Sequence, residues 1–135
     1  MIIADESADR VAVAPVTATL QTYFDGLYNS DTKRLARAFH PRAIYASASG
    51  GTLVQMSMPE YFAMVDARPS PASRGELRTD NVVSIDFAGP VTALARVECS
   101  IGPKQFTDLL TLIHVEGRWQ IIAKVFHFEL EATRS

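Results

Sequence analysis

Three side chains in this sequence are suited to moving a proton: Tyr23, Asp108 and His127. An imidazole can give or take a proton near neutral pH, a carboxylate can act as a base, and a phenol can donate to a developing negative oxygen. Asp108 and His127 both lie in FTDLLTLIHVEGRWQIIAKVFHF, residues 106–128, the longest apolar stretch, whose pattern repeats every second residue. That period and the Glu116-Gly117 pair predict a β-hairpin. If Val115 pairs with Arg118 and the ladder runs unbroken, Asp108 lies opposite Val125. One face then carries Phe106, Asp108, Leu110, Leu112, His114, Trp119, Ile121, Ala123, Val125 and His127. Asp108 and His127 become diagonal neighbours at the open end of that face, within reach of each other or of one ligand.

A second turn tests the parity of Asp108. Pairing Ile101 with Lys104 around Gly102-Pro103 places Cys99, Val97, Ala95 and Ala93 beside Phe106, Asp108, Leu110 and Leu112, and sends Arg96, Glu98 and Ser100 to the other face. Asp108 is thereby predicted to be a carboxylate on an apolar sheet face, which is costly unless it has a partner. Tyr23 supplies a candidate. Val16, Leu20, Tyr23, Phe24 and Leu27 recur at steps of three and four along one helical stripe, and Tyr23 pairs a large apolar body with a hydroxyl. The expected pocket is lined by Tyr23, Leu27, Tyr45, Ser47, Tyr61, Val97, Cys99, Asp108, Leu110, Val125 and His127. Met56 is a further candidate, Trp119 reads as core, and His40 and His114 read as loop and turn residues.

The elements that must position these groups follow in order. Residues 1–14 read as a loose lead-in, and Pro15 opens the first helix. Asn29-Ser30-Asp31 breaks it, and Asp31 caps a short helix, TKRLARAF, before Pro41. Residues 43–49 and 51–57 read as two short strands. Ser57-Met58-Pro59-Glu60 is a capping box that starts a third helix running to about Arg68, with Tyr61, Phe62 and Val65 inward. Strands over about 74–87 and 91–101 then lead into the hairpin, giving a four-strand antiparallel meander. The whole reads as one α+β domain over 15–130, with a tail at 131–135.

Bulk properties narrow the function classes. A chain of 135 residues, 47% hydrophobic and 21% charged, suits one soluble core. A net charge of −2 supplies no basic field for a phosphate backbone, so no nucleic-acid partner is expected. The basic residues at 33–42 read as a solvated helix face. The three histidines lack metal-ligand spacing, so neither metal nor cofactor is expected. Cys99 is the one cysteine, no window spans a membrane, and the acidic N-terminus is unlike a signal peptide, so a cytoplasmic setting is expected.

The helical YFDGLYNSD, the FHPRA entering the sheet and the final LTLIHVEGRWQIIAKVF together resemble the nuclear transport factor 2-like superfamily, most closely its lumazine-binding and SnoaL-like branches. The resemblance spans roughly residues 16–128. It implies a cystatin-like fold, a curved antiparallel sheet wrapped by three helices into a cone with a ligand pocket in its mouth. It also implies either a binding protein for a flat cyclic or aromatic molecule or an isomerase, dehydratase or cyclase. Against the steroid isomerase pattern, Tyr23 and Asp108 match the oxyanion donors, but Ser47 stands where a carboxylate base is required. Against the epoxide hydrolase pattern, Arg96 faces outward. No complete catalytic set is present, which favours binding. The alternative is acid–base catalysis by Asp108 and His127 with Tyr23 as donor, and a third class is a protein-interaction module working through the outer face.

The same register sends Leu109, Thr111, Ile113, Ile122, Phe126 and Phe128 to the outer side of the hairpin. With all three helices on the inner side, that apolar face predicts a homodimer, a class of assembly the resemblance also implies.

Overall fold

The computed structural model describes residues 6–131. Its elements are α1 (Glu6–Asn29), α2 (Thr32–Ala38), β1 (Phe39–Ser47), β2 (Val54–Met56), α3 (Met58–Ala67), a short 3₁₀ turn (Ala72–Arg74), β3 (Asn81–Phe87), β4 (Thr92–Ile101), β5 (Lys104–Val115) and β6 (Arg118–Leu130). The expected α+β fold is what the chain adopts. Its six strands run in the order β2-β1-β6-β5-β4-β3. Every neighbouring pair is antiparallel except β1 and β6, which run parallel and make the sheet mixed.

Local chemistry sets the boundaries. Asp31 caps α2 by accepting from the Lys33 and Arg34 amides, and Ser57 with Glu60 forms the capping box that starts α3. At the β5–β6 turn, Glu116 and Gly117 both adopt positive φ, 55° and 80°, which a tight hairpin turn requires and Gly supplies without strain. The start of α1 differs from expectation. The helix already runs from Glu6, so the lead-in is helical over 6–14, residues 1–5 lie outside the described residues, and Pro15 sits inside α1 instead of opening it. A proline there leaves the Val11 carbonyl without its usual donor, and Val11 is exposed, so water can take that place.

The core lies between the sheet's inner face and the helices. Val16, Leu20, Tyr23, Phe24 and Leu27 of α1 are all buried, as the stripe requires, against Ala93, Ala95, Val97, Leu110, Leu112 and Ile121. Each fully buried Leu or Ile contributes about 1.5–3 kcal/mol. The β4–β5 ladder has the expected register, from Ile101 opposite Lys104 through Val97 opposite Asp108 to Ala93 opposite Leu112.

The β5–β6 ladder keeps that agreement only halfway. Val115 pairs with Arg118 and Leu112 with Ile121, but Thr111 pairs with Ala123, so Ile122 is an extra residue in β6. One inserted residue exchanges the two faces for everything beyond it. Asp108 therefore lies opposite Phe126, not Val125. Lys124 and Phe126 point into the core, and Phe128 packs against it, while Val125 and His127 point out.

Candidate functional site

Asp108 is fully buried on the inner face of β5. Its Oδ2 accepts a hydrogen bond of 2.5 Å from the Tyr23 hydroxyl, delivered from α1 across the core. Its Oδ1 is buried and has no hydrogen-bond partner among the described residues. Burial first, and the Asp108 carboxylate second, raise Tyr23 well above the usual phenol range. Tyr23 thus stays a donor at every ordinary pH, and its hydrogen goes to Asp108.

Lys124 stands beside this pair. It lies opposite Leu110 on β5 and Tyr45 on β1, which places it diagonally from Asp108 on the same face. Only 4% of its surface is exposed. Its Nζ lies over four rings, 5.1 Å from the centroids of Tyr23, Tyr61 and Phe126 and 5.6 Å from that of Tyr45. Desolvated cation–π contacts are worth about 2 kcal/mol or more. Its one hydrogen bond among the described residues is donated to the Tyr61 hydroxyl at 3.2 Å, leaving two ammonium hydrogens without an acceptor. Burial disfavours the ammonium, but Tyr61, Asp108, Cys99 and Tyr45 together outweigh it and raise Lys124 above the usual lysine range.

A cavity of about 70 Å³ opens onto Lys124, lined by Leu27, Tyr45, Tyr61, Met64, Arg68, Cys99, Ile101, Lys104 and Phe106. Cys99 stands at its edge with a thiol that burial pushes up to about 12. A larger hollow, about 650 Å³, is elsewhere, between the first half of α1 and the β5–β6 turn beside Trp119. Of its basic residues, Arg118 already donates to the Arg37 carbonyl and to Gln120 Oε1.

The structure brings together Tyr23, Leu27, Tyr45, Tyr61, Val97, Cys99, Asp108 and Leu110 of the expected set. Val97 and Leu110 are fully buried on the strands flanking Asp108 and Lys124. Ser47 is also inward, but its hydroxyl is engaged by Ser49 at 3.0 Å and not by Asp108. Two members are corrected. Val125 is 45% exposed on the outer face. His127 is also outside, its Nδ1 3.1 Å from Ser49 Oγ and its Nε2 3.6 Å from Glu129 Oε1, so it cannot share the cavity with Asp108. Both follow from the extra residue at Ile122. Phe126, expected on an outer interface, is core, and Phe128, expected there too, packs against Phe106 with ring centroids 5.7 Å apart.

Lys124 is the residue that sequence reasoning missed. The signal was present: an unbroken register sends two aromatics, Phe126 and Phe128, to solvent while turning His127 inward, and a bulge reverses all three. Arg68, whose Nε is buried without a partner among the described residues, had no such signal beyond its place at the end of α3. Among the described residues no three His, Cys, Asp or Glu side chains gather as a metal would need, and no helix is long and apolar enough to cross a membrane.

Comparison with known proteins agrees with this architecture. The family described as Putative lumazine-binding matches residues 11–127. Aldolase FrzH of Cladobotryum sp. is 26% identical over 114 residues, covering 83% of this chain and 87% of the relative. An NTF-2 like protein of unknown function from Silicibacter pomeroyi DSS-3 superposes with a TM-score of 0.78 at 26% identity, covering 90% of this chain and 98% of the other. A second, from Shewanella baltica OS155, does so at 0.76 and 24% identity over 86% and 92%, a likeness of fold.

Proposed function

Because the chain belongs to the Putative lumazine-binding family of nuclear transport factor 2-like folds, we propose that its cone holds a flat cyclic molecule by one polar edge. One observation carries this reading. Lys124, 4% exposed and with two ammonium hydrogens left open among the described residues, lines the 70 Å³ cavity, and Asp108, buried diagonally from it on the same sheet face, lends it a compensating charge. A carbonyl edge that accepts from Lys124 answers those donors. The 70 Å³ cavity has room for about two waters, which is the edge of such a molecule, while its body extends past Met64 and Phe106. Tyr45 and Tyr61, with ring centroids 4.7 Å apart, supply aromatic walls.

A thermal-shift panel of flat cyclic carbonyl compounds, lumazine among them, tests the reading. Compounds that stabilise the wild-type protein are expected to lose that effect in Lys124→Met. A panel without a stabilising compound, or shifts unchanged in Lys124→Met, would refute it.

A second reading is catalysis, favoured by the same open donors and by the likeness to an aldolase. The Lys124 ammonium would hold a substrate carbonyl and stabilise its enolate oxygen, with Asp108 keeping that ammonium charged. Lys124 replaces His127 in the acid–base pair expected from sequence.

For assembly, we propose a homodimer through the outer sheet face, on a patch different from the one the unbroken register implied. Ile44, Leu94, Leu109 and Val125 are exposed on four adjacent strands, and Ile113 and Ile122 are partly exposed. With its single free thiol, Cys99, we place this dimer in a reducing, cytoplasmic setting.

A further inference from the structure

The chain carries more acid than base, yet three cations surround one small cavity without a carboxylate. Arg68, Lys104 and Lys124 line it, and none of the other lining residues is acidic. Elsewhere three of the arginines have carboxylate partners: Arg34 with Asp31, Arg74 with Glu76, Arg78 with both Asp25 and Asp80. Arg68 Nε is buried with no acceptor among the described residues. Lys104 rests its ammonium over the Phe128 ring at 4.6 Å. Lys124 donates only to Tyr61. A buried guanidinium N–H left open costs free energy unless something accepts from it. Asp108 does not serve, because it does not line the cavity.

Resting on the reading of the cone as a small-molecule site, we propose that its ligand is an organic acid whose carboxylate is clamped between Arg68 and Lys124, with Lys104 at the rim. The three cations come from three elements, the C-terminal end of α3, the start of β5 and the middle of β6, and line one cavity. A carboxylate offers two oxygens, one for the planar Arg68 fork and one for the ammonium of Lys124. It fits a 70 Å³ cavity, whereas a ring does not and must pack outward against Phe106 and Met64. An aromatic acid satisfies charge, size and wall together.

Benzoate and benzamide differ in charge and hardly in shape, which makes them the probes. Titration calorimetry on the full chain is expected to show benzoate binding at least about tenfold more tightly than benzamide, since charge-assisted hydrogen bonds are roughly twice as strong as neutral ones. Arg68→Met, checked for an unchanged circular dichroism spectrum, should remove that preference, and Lys124→Gln should weaken it. Benzamide binding as well as benzoate overturns the acid and leaves the small-molecule reading standing, provided Lys124→Met abolishes it. Benzoate binding that survives in both Arg68→Met and Lys124→Met, or no saturable benzoate binding up to about 20 mM, overturns the clamp.

Discussion

At the scale of single residues, the Tyr23 to Asp108 hydrogen bond is the joint between α1 and the sheet, because it satisfies one oxygen of a carboxylate whose other oxygen has no partner. Tyr23→Phe leaves both oxygens orphaned in the core and is expected to cost about 1–3 kcal/mol in urea unfolding. Adding Asp108→Val removes the orphaned group and should recover most of that loss, since replacing both partners by apolar groups can be nearly neutral. A double variant as unstable as Tyr23→Phe alone would show that the carboxylate has other support. Cys99 gives a second check on the same interior. With its thiol at about 12, the thiolate is scarce near neutral pH. Iodoacetamide should therefore label the native chain at least about a hundredfold more slowly than the urea-unfolded chain, where a free thiol titrates near 8.5. Equal rates would contradict the crowding described around it.

At the scale of elements, Ile122 decides which side chains the cavity receives. The turns and their flanking pairs were legible in the sequence: Val115 opposite Arg118 and Ile101 opposite Lys104 are local consequences of where glycine allows the chain to reverse. So were the α1 stripe, the Asp31 cap and the Ser57 to Glu60 box. The bulge was not legible in the same way, because Ile121, Ile122 and Ala123 are all apolar and either parity satisfies them. Only residues beyond it, Lys124 through Phe128, carry the contradiction, and it is resolved by packing against Tyr23, Tyr45 and Tyr61 from distant parts of the chain. Two of the three proton-transfer residues, Tyr23 and Asp108, were therefore found inside, while Lys124 exchanged faces with His127. The contact between α1 and α2 yields another prediction. Gly26 is buried, and a Cβ there would meet Leu35 Cδ2 at 2.6 Å and the Leu35 backbone nitrogen at 3.2 Å. In an exposed helix Gly→Ala stabilises by about 1 kcal/mol. Here the clash decides the sign, and Gly26→Ala is expected to destabilise by about 1–2 kcal/mol by urea unfolding. A stabilised variant would mean the two helices separate without cost.

At the scale of the whole molecule, the two faces of the sheet have separate tasks. The inner face carries the polar cluster. The outer face exposes Ile44, Leu94, Leu109 and Val125 as one patch, the kind of surface that a second copy covers. Val125→Glu should yield a monomer by sedimentation equilibrium with an unaltered melting temperature at low concentration. Phe126→Glu should instead unfold the chain, because Phe126 packs on Tyr45 and under Lys124 in the core. A wild-type monomer at micromolar concentration would dispose of the dimer without touching the cone. The cone itself competes with the larger hollow beside Trp119 as the place where a ligand goes. Amide and aromatic chemical-shift mapping of the wild-type protein, titrated with whichever flat cyclic compound stabilises it most, separates the two. Shifts concentrated at Tyr23, Tyr45, Tyr61, Asp108 and Lys124 are the result this account predicts, and shifts concentrated at Thr19, Arg37, His114 and Trp119, with the Asp108 and Lys124 signals unmoved, would contradict it.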